Sequence, residues 1–232
     1  RSEKLAATAE LGAGIAHELN NPLTSILGLG QVLLETSANG VREDLEEIVK
    51  QAERMRKIIR NLARFAGPGA SGGRQVLNLN RVVEQAVAIN REKLGQRCID
   101  VEMDCAPGLL DIDGNPSDLL LAVLHLLSNA IFAMPKGGKL LLQTRVVDHA
   151  AVKVVVGDTG VGIPADRLSR IFEPFYTDRA AGAERGGGGL GLPVAHRIVE
   201  EHEGRISVTS QPGAGTTFTL FFPGKRRELH VR

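Results

Sequence analysis

The chain has 232 residues, which is enough for one large domain or two smaller ones, each with its own core. Apolar residues make up 43% of the chain and charged residues 24%, as in a soluble globular protein. The net charge of +1 gives no electrostatic reason to expect nucleic acid or a membrane surface as a partner, and with aromatic residues at 3% a purine site must rely on aliphatic walls and polar contacts.

The two cysteines, Cys98 and Cys105, lack the spacing of metal ligands. We expect them to be small apolar residues in or beside a strand, in a reducing compartment. No apolar run approaches the roughly 20 residues of a membrane span, so we expect a cytoplasmic location and no membrane contact by this chain. Helical sequence begins directly at Arg1, which indicates a piece of a longer protein that can itself be membrane-anchored.

Residues 1–66 are predicted to form a helical hairpin, broken at Asn39-Gly40. The second helix carries an apolar seam with the a/d spacing 3-4-3-4-3: Leu45, Ile48, Ala52, Met55, Ile59 and Leu62. Two helices cannot cover such a seam alone. We therefore predict that two copies pair into a four-helix bundle, which makes the protein a homodimer.

The first helix of this hairpin contains the sequence Ala-His-Glu-Leu-Asn-Asn-Pro-Leu from Ala16 to Leu23. A neutral nitrogen of His17 can accept a phosphoryl group, and Glu18 can orient the ring or take its proton. Asn21 lies one turn later on the same face, where its amide can hold a water molecule. Taken alone, the same residues are more typical of a solvated polar patch than of a phosphoryl acceptor.

A linker is predicted at residues 67–76, which begin Gly-Pro-Gly-Ala-Ser-Gly-Gly. Residues 77–224 then form a second domain, and residues 225–232 a C-terminal tail. Helices are predicted at 80–94 (with Asn80 as N-cap), 116–134 and 190–202, and strands at 99–104, 139–147, 152–156, 205–210 and 216–222. The mixture favours an α/β sandwich with one mixed sheet and helices on one face, so the fold class of the whole chain is α+β.

Three patterns in the second domain indicate chemistry. Asp158 follows a strand within Gly-Asp-Thr-Gly-Val-Gly-Ile-Pro, where glycines allow close approach of a ligand and the carboxylate can accept from a purine amino group. The run from Gly186 to Leu192 precedes a helix and can hold phosphate with its amides. Asn129 is a polar residue on an apolar helix, one turn after His125, and its amide suits a nucleotide-borne Mg²⁺. Each pattern also has a purely structural alternative. The sequence at Asp158 can be an ordinary turn, the run from Gly186 to Leu192 a flexible loop, and Asn129 a core amide whose hydrogen bonds are satisfied within the protein.

Taken in this order, the segments resemble the sensor histidine kinases of two-component systems along nearly the whole chain. The stretch from His17 to Leu23 resembles the phosphoacceptor motif of the dimerisation domain, and His125 to Asn129 resembles the N box. The remaining motifs resemble the two glycine boxes, the F box and the closing glycine-threonine motif; they are residues 158–163, 187–192, 171–175 and 213–218. The resemblance implies an ATP-binding domain of the type that gyrase and a class of chaperones share.

The resemblance also implies roles for individual residues. His17 would accept the γ-phosphoryl group of ATP with Glu18 as general base, and Asn21 would position a water that hydrolyses the phospho-aspartate of a partner response regulator. Asn129 would coordinate Mg²⁺, and Asp158 would bind adenine with Thr216 or Thr217 nearby. The further nucleotide contacts implied are Gly160, Gly162, Ile163, Phe175, Arg179, Gly187, Gly189, Leu190, Gly191 and Leu192.

The chain departs from the family pattern at a few positions. His125 replaces the first Asn of the N box, Phe132 stands where many members carry a phosphate-binding Lys, and Gly188 and Pro193 replace the usual Thr and Ala. Arg179 can supply the missing charge, as a Lys does in the nitrogen-regulation kinases that this subtype most resembles. Two alternatives stay open from sequence: an ATP-driven conformational machine of the gyrase and chaperone type, and an inactive scaffold that binds a receiver domain.

Overall fold

The computed structural model describes residues 23–24, 26–35, 41, 45–50, 52–53, 55–56, 59, 73–174, 176 and 189–225. The chain divides into two compact units. Residues 1–70 and 177–190 belong to the first, and residues 71–176 and 191–232 belong to the second. The division at residues 70–71 lies within the predicted linker, whereas residues 177–190 were predicted to belong to the second domain.

The described residues of the first unit are helical at 23–24, 26–35 and at the described positions from 45 to 59. Their apolar core is small and joins the two helices: Leu23, Leu27, Ala52 and Ile59 are buried, with Val49 packed against them. The helices approach closely at Gly30, where a Cβ atom would lie 2.8 Å from Cγ2 of Val49. The predicted helical hairpin is therefore confirmed in the part that the structure describes.

The seam of the second helix is only half covered within this chain. Leu45, Ala52 and Ile59, each seven residues from the next, are buried. Ile48 and Met55, which alternate with them, remain 49% and 48% exposed. One of the two heptad stripes thus packs inside the hairpin, and the other faces away from it.

The second unit contains strands and helices that we number within it. They are β1 (Gln75–Leu77), α1 (Leu79–Gln96), β2 (Ile99–Cys105), β3 (Ile112–Gly114), α2 (Pro116–Ala133), β4 (Gly138–Val147), β5 (Ala151–Asp158), α3 (Ala165–Leu168), α4 (Gly191–Glu201), β6 (Arg205–Gln211) and β7 (Gly215–Pro223). Strands β1 and β3 form a separate antiparallel pair, and the main sheet has the order β2-β4-β5-β7-β6. Only the β2–β4 pairing within that sheet is parallel, so the sheet is mixed as predicted.

The core of this domain lies between one face of the sheet and the helices. Helix α2 packs against both α1 and α4, and all three contact strands of the main sheet. Alternate strand residues supply the sheet side of the core, in agreement with the two-residue period of a strand. They are Leu140 and Leu142 of β4, Val152, Val154 and Val156 of β5, and Phe218, Leu220 and Phe222 of β7.

Helix α2 is the most apolar element. Within the part of the chain that the structure describes, it is the one helix whose length and composition would allow it to cross a membrane. Its side chains Leu119, Leu126 and Leu127 are each at most 1% exposed. Asn115 caps its N-terminus by accepting from the backbone N–H groups of Ser117 and Asp118. The apolar run is thus the central helix of this domain.

The predicted start of the second domain was wrong in two details. Asn78, not Asn80, is the N-cap of α1, and its side chain accepts from the N–H of Asn80 at 3.0 Å. Asn80 instead joins α1 to the sheet, because the Thr144 hydroxyl donates to its side-chain oxygen at 2.6 Å. Strand β1 begins at Gln75, within the stretch predicted as linker, because its three residues pair with β3.

Candidate functional site

Asp158 is the last residue of β5 and lies where the sheet meets the first glycine-rich loop. It is 9% exposed, and in register it faces Thr216 of β7 on one side and Leu140 of β4 on the other. The N–H of Gly160 donates to Oδ1 of Asp158 at 2.8 Å, and the backbone N–H of Thr216 also donates to this carboxylate. Burial raises the pKa of the Asp158 carboxyl, and these two donors oppose that rise.

Thr216 and Thr217 are adjacent in β7, but the sheet separates them. Thr216 is 4% exposed and shares the face of Asp158, since directly paired residues point to the same side. Thr217 pairs with Gly157, so its side chain lies on the opposite face. Of the two threonines expected near Asp158, the structure places Thr216 beside it.

Ser210 connects several predicted site residues, although no sequence signal singled it out. Its Oγ accepts from the N–H of Ile163 at 2.7 Å and lies 2.9 Å from Oγ1 of Thr216. The same hydroxyl is 2.9 Å from the carbonyl oxygen of Gly215. A lone serine at the end of a strand carries no pattern, and only the pairing of β6 with β7 brings it to this place.

The glycines of the first glycine-rich loop are required by the protein's own backbone. A Cβ atom on Gly160 would lie 2.5 Å from the carbonyl oxygen of Ala133, which accepts from the N–H of Val161 at 3.1 Å. Gly162 has φ +70°, and a Cβ there would lie 2.1 Å from the carbonyl oxygen of Gln211. The loop is thus pressed against the end of α2 and the β6–β7 turn, which adds a second reason for glycine to that expected from ligand approach.

The second glycine-rich stretch meets α2 through Gly191, the first residue of α4. A Cβ atom on Gly191 would lie 3.2 Å from Nδ1 of His125. Asn129 is partly buried one turn further along α2, and the half-exposed Phe132 follows on the same helical face. His125 and Asn129 therefore lie on the face of α2 that passes the N-terminus of α4.

Of the remaining predicted site residues, some are described by the structure and the others are not. Gly189 has φ +69°, Leu190 is 1% exposed, and Leu192 lies in the first turn of α4. His17, Glu18, Asn21, Phe175, Arg179 and Gly187 lie outside the described residues.

The donor chemistry of this site suits magnesium only in part. Within the described ranges, no cluster of three or more His, Cys, Asp or Glu side chains is suited to a metal ion. The side-chain oxygen of Asn129 is, however, the kind of hard ligand that Mg²⁺ accepts. A single protein oxygen beside a helix N-terminus fits an ion that keeps waters and shares a nucleotide's phosphates.

Comparison with known proteins agrees with this architecture. Residues 7–68 match the His Kinase A (phospho-acceptor) domain model, and residues 114–226 match the model of histidine kinase-, DNA gyrase B- and HSP90-like ATPases. The chain belongs to the sensor histidine kinases of two-component systems. It is 37% identical over 225 residues to sensor histidine kinase ZraS of Escherichia coli, covering 96% of this chain and 47% of ZraS.

Two further relatives give the same result. Identity is 34% to the histidine-protein kinase AtoS of Escherichia coli and 34% to sporulation kinase A of Bacillus subtilis, covering 96–97% of this chain and 36% of each relative. The chain thus spans about half or less of the length of these curated kinases. None of these matches tests the predicted nitrogen-regulation subtype, which stays a prediction.

Solved structures share the fold. Full-length ShkA, crystallised with AMPPNP, superposes with a TM-score of 0.81 at 23% identity, covering 94% of this chain and 46% of ShkA. The catalytic domain of histidine kinase ThkA gives a TM-score of 0.58 at 25% identity, covering 66% of this chain and 97% of that domain. The predicted α+β fold class is therefore confirmed.

Proposed function

We propose that this chain is the kinase core of a sensor histidine kinase, which phosphorylates His17 from ATP and passes the phosphoryl group to an aspartate of a response regulator. The observation that carries the proposal is Asp158, a carboxylate buried at the end of β5 between two backbone donors. A buried acceptor of this kind suits an exocyclic amino group, which is what adenine offers.

The phosphate groups would lie between α2 and the start of α4. The N-terminus of α4 presents backbone N–H groups and the positive end of the helix dipole. Asn129 on the facing side of α2 would hold Mg²⁺, which when bound neutralises phosphate charge. Gly187, Gly189 and Arg179 are proposed to complete the phosphate contacts, with Phe175 and Leu192 as further neighbours of the nucleotide.

In the phosphorylation step the protein then has two tasks: it positions His17 against the γ-phosphoryl group, and it removes a proton from the imidazole. The lone pair of His17 Nε2 forms a bond to the γ-phosphorus while the bond to the bridging oxygen breaks, and ADP leaves. Glu18 accepts the proton that the imidazole gives up. Most of the rate in such transfers comes from orientation and from charge neutralisation, which the two domains provide together.

Two further steps complete the proposed cycle. A receiver-domain aspartate attacks the phosphorus of phospho-His17, and the imidazole leaves. Asn21 is proposed to position the water that later hydrolyses the resulting acyl phosphate, which would make the protein a kinase and a phosphatase. His17, Glu18 and Asn21 fall within one and a half turns of predicted helix, so both activities would share one surface.

The proposed homodimer follows from the half-covered seam of the hairpin. Besides Ile48 and Met55, the first helix exposes Leu29 by 65%, Val32 by 57% and Leu33 by 47%. Exposed apolar side chains on both helices of a hairpin are typical of an association interface. A second copy would cover it in a four-helix bundle.

The proposal is tested by replacing His17 with Gln. We expect the wild-type protein to acquire acid-labile, alkali-stable phosphate from Mg-ATP labelled at the γ-position, and the variant to acquire none while it still binds ATP. Transfer from labelled protein to a panel of receiver domains tests the second step, and loss of receiver dephosphorylation in Asn21→Ala tests the third. ATP turnover by the wild-type protein without phosphohistidine would contradict the proposal and favour a conformational ATPase.

A further inference from the structure

Arg74 directly follows the glycine-rich segment of residues 67–73, and its side chain makes several polar contacts. One guanidinium nitrogen donates to the carbonyl oxygen of Glu201 at 3.2 Å, and another donates to the carbonyl oxygen of Asp113 at 3.1 Å. Ion pairs reach the carboxylates of Asp113 at 3.9 Å and Glu203 at 3.6 Å. A planar guanidinium is suited to bridging several acceptors in this way.

The acceptors of Arg74 lie next to the ends of the two helices of the proposed nucleotide site. Glu201 is the last residue of α4, so the guanidinium lies at the negative end of the helix whose other end is Gly191. Asp113 lies in β3, two residues before Asn115, the N-cap of α2. His202, directly after α4, also links the end of α4 to the start of α2, because its Nε2 accepts from the N–H of Asn115 at 2.9 Å.

Other contacts reinforce the acceptor side of this cluster. Lys225 donates to Oδ2 of Asp113 at 3.0 Å, and its backbone N–H donates to the carbonyl oxygen of Asp111 at 2.6 Å. The Lys225 ammonium, followed by Arg74, holds the pKa of the Asp113 carboxyl below its usual value, so this carboxylate is ionised at neutral pH. Strand β1, which follows Arg74 directly, pairs with β3 through three residues only.

We propose that Arg74 is a positioning residue for phosphoryl transfer, which fixes the point where the interdomain segment joins the ATP-binding domain. The inference rests on the proposed function. It states that Arg74 influences how often the bound nucleotide comes into contact with His17. A two-stranded pair as short as β1–β3 is marginal alone, so the bridging guanidinium is what keeps residues 74–77 on the domain. Without it, the glycine-rich linker predicted from the sequence would extend to residue 77 instead of ending at residue 73.

The expected consequence is kinetic. Lengthening the tether from seven to eleven residues lowers the effective concentration of one domain at the other about twofold. Arg74→Ala should therefore reduce the single-turnover rate of autophosphorylation at saturating ATP about twofold, with no change in KM for ATP. The guanidinium side chain is 41% exposed and its acceptors can be solvated in its absence, so the melting temperature should hardly move.

The test compares four proteins: wild type, Arg74→Ala, the same variant with residues 69–72 deleted, and Arg205→Ala as a control. Arg205 is also an exposed arginine, but its guanidinium stacks over the ring of Phe221 in β7, a strand of the main sheet. Deleting four tether residues should restore the wild-type rate to Arg74→Ala. Arg74→Ala should also speed amide hydrogen exchange at residues 75–77 but not in β5.

Several results would overturn the inference. An unchanged rate, unchanged exchange at residues 75–77, a raised KM for ATP, a lowered melting temperature or no rescue by the deletion would each show that Arg74 has no positioning role. If the wild-type protein forms no phosphohistidine, the proposed function fails and the positioning role fails with it. The exchange measurement then still shows whether Arg74 holds β1 on the domain.

Discussion

At the scale of single residues, the burial of Asp158 lowers the stability of the fold at neutral pH. Burial raises its pKa above that of the unfolded chain, so the folded state binds the proton more tightly between the two values. The contribution to stability is most favourable at pH values below the unfolded pKa and declines as pH rises through the folded pKa. At neutral pH the ionised carboxylate therefore destabilises the fold.

We therefore expect Asp158→Asn to raise the melting temperature at neutral pH but to lower nucleotide affinity. The melting temperature of the nucleotide-free protein at pH 7 should rise, and this gain should disappear as the pH falls below 4. Nucleotide affinity should fall about tenfold or more, because a hydrogen bond to a charged group contributes about 1.5–3 kcal/mol. Thermal unfolding with and without Mg-ATP measures both effects.

The exposed Asp148, in the turn between β4 and β5, offers a matched control. Asp148→Asn makes the same chemical change and should alter neither the melting temperature nor nucleotide affinity. If Asp158→Asn lowered the melting temperature at neutral pH, the cost assigned to the buried charge would be wrong.

At the scale of elements, His202 connects the helices of the ATP-binding domain. It is 4% exposed, its Nε2 accepts from the N–H of Asn115, and its Nδ1 lies 2.7 Å from the carbonyl oxygen of Ile198. Both contacts are satisfied by the neutral ring with its proton on Nδ1. The ring thus holds the end of α4 to the start of α2.

We expect His202→Ala to lower the free energy of unfolding by about 1–3 kcal/mol, because it leaves a buried N–H without its acceptor. His196→Ala, within α4, should cost less than about 1 kcal/mol, since that side chain is 37% exposed and pairs with Glu200 at the surface. Urea unfolding of the two variants measures the difference. Equal losses of unfolding free energy in the two variants would mean that the hydrogen bond between Asn115 and His202 contributes no measurable stability.

The elements also show what sequence can and cannot predict. Periodicity located α2, β4, β5 and the β6–β7 hairpin to within a few residues, because each has one buried face. The N-cap of α1 was misplaced because Asn78 and Asn80 are chemically identical candidates two residues apart. Strand β1 was missed because its Val76 is 61% exposed and its pairing partner lies more than thirty residues away.

The same limit applies to the site. Asp158 and Thr216 could be predicted because each lies in a motif, and the sheet register brings them together. The choice between Thr216 and Thr217 required that register, since adjacent strand residues point to opposite faces. Ser210 and the packing of Gly160 on Ala133 depend on contacts between distant segments, which no local pattern encodes.

At the scale of the whole molecule, the uncovered stripe of the hairpin predicts a dimer that a single charge can disrupt. Leu29→Glu places a carboxylate in the proposed interface and should weaken association at least about tenfold, because burying an unpaired charge is costly. Size-exclusion chromatography with light scattering over a range of concentrations measures this.

Ile89→Glu is the matched control, since Ile89 is 55% exposed on α1 of the other domain. It should leave association unchanged. A wild-type protein that is monomeric at micromolar concentration would contradict the predicted bundle.

The strand order has a consequence for how the protein is made. Strand β7, the last of the strands that the structure describes, lies between β5 and β6 in the interior of the sheet. Until it is synthesised, β5 has an unpaired edge, and the apolar side chains Val152, Val154 and Val156 lack their neighbours Phe218, Leu220 and Phe222. A nascent or truncated chain ending before Gly215 would expose β5 as an unpaired, apolar edge strand. Such a strand is a binding site for chaperones and promotes aggregation. Because β7 also contributes Thr216, the surroundings of Asp158 are complete only once β7 has paired with β5.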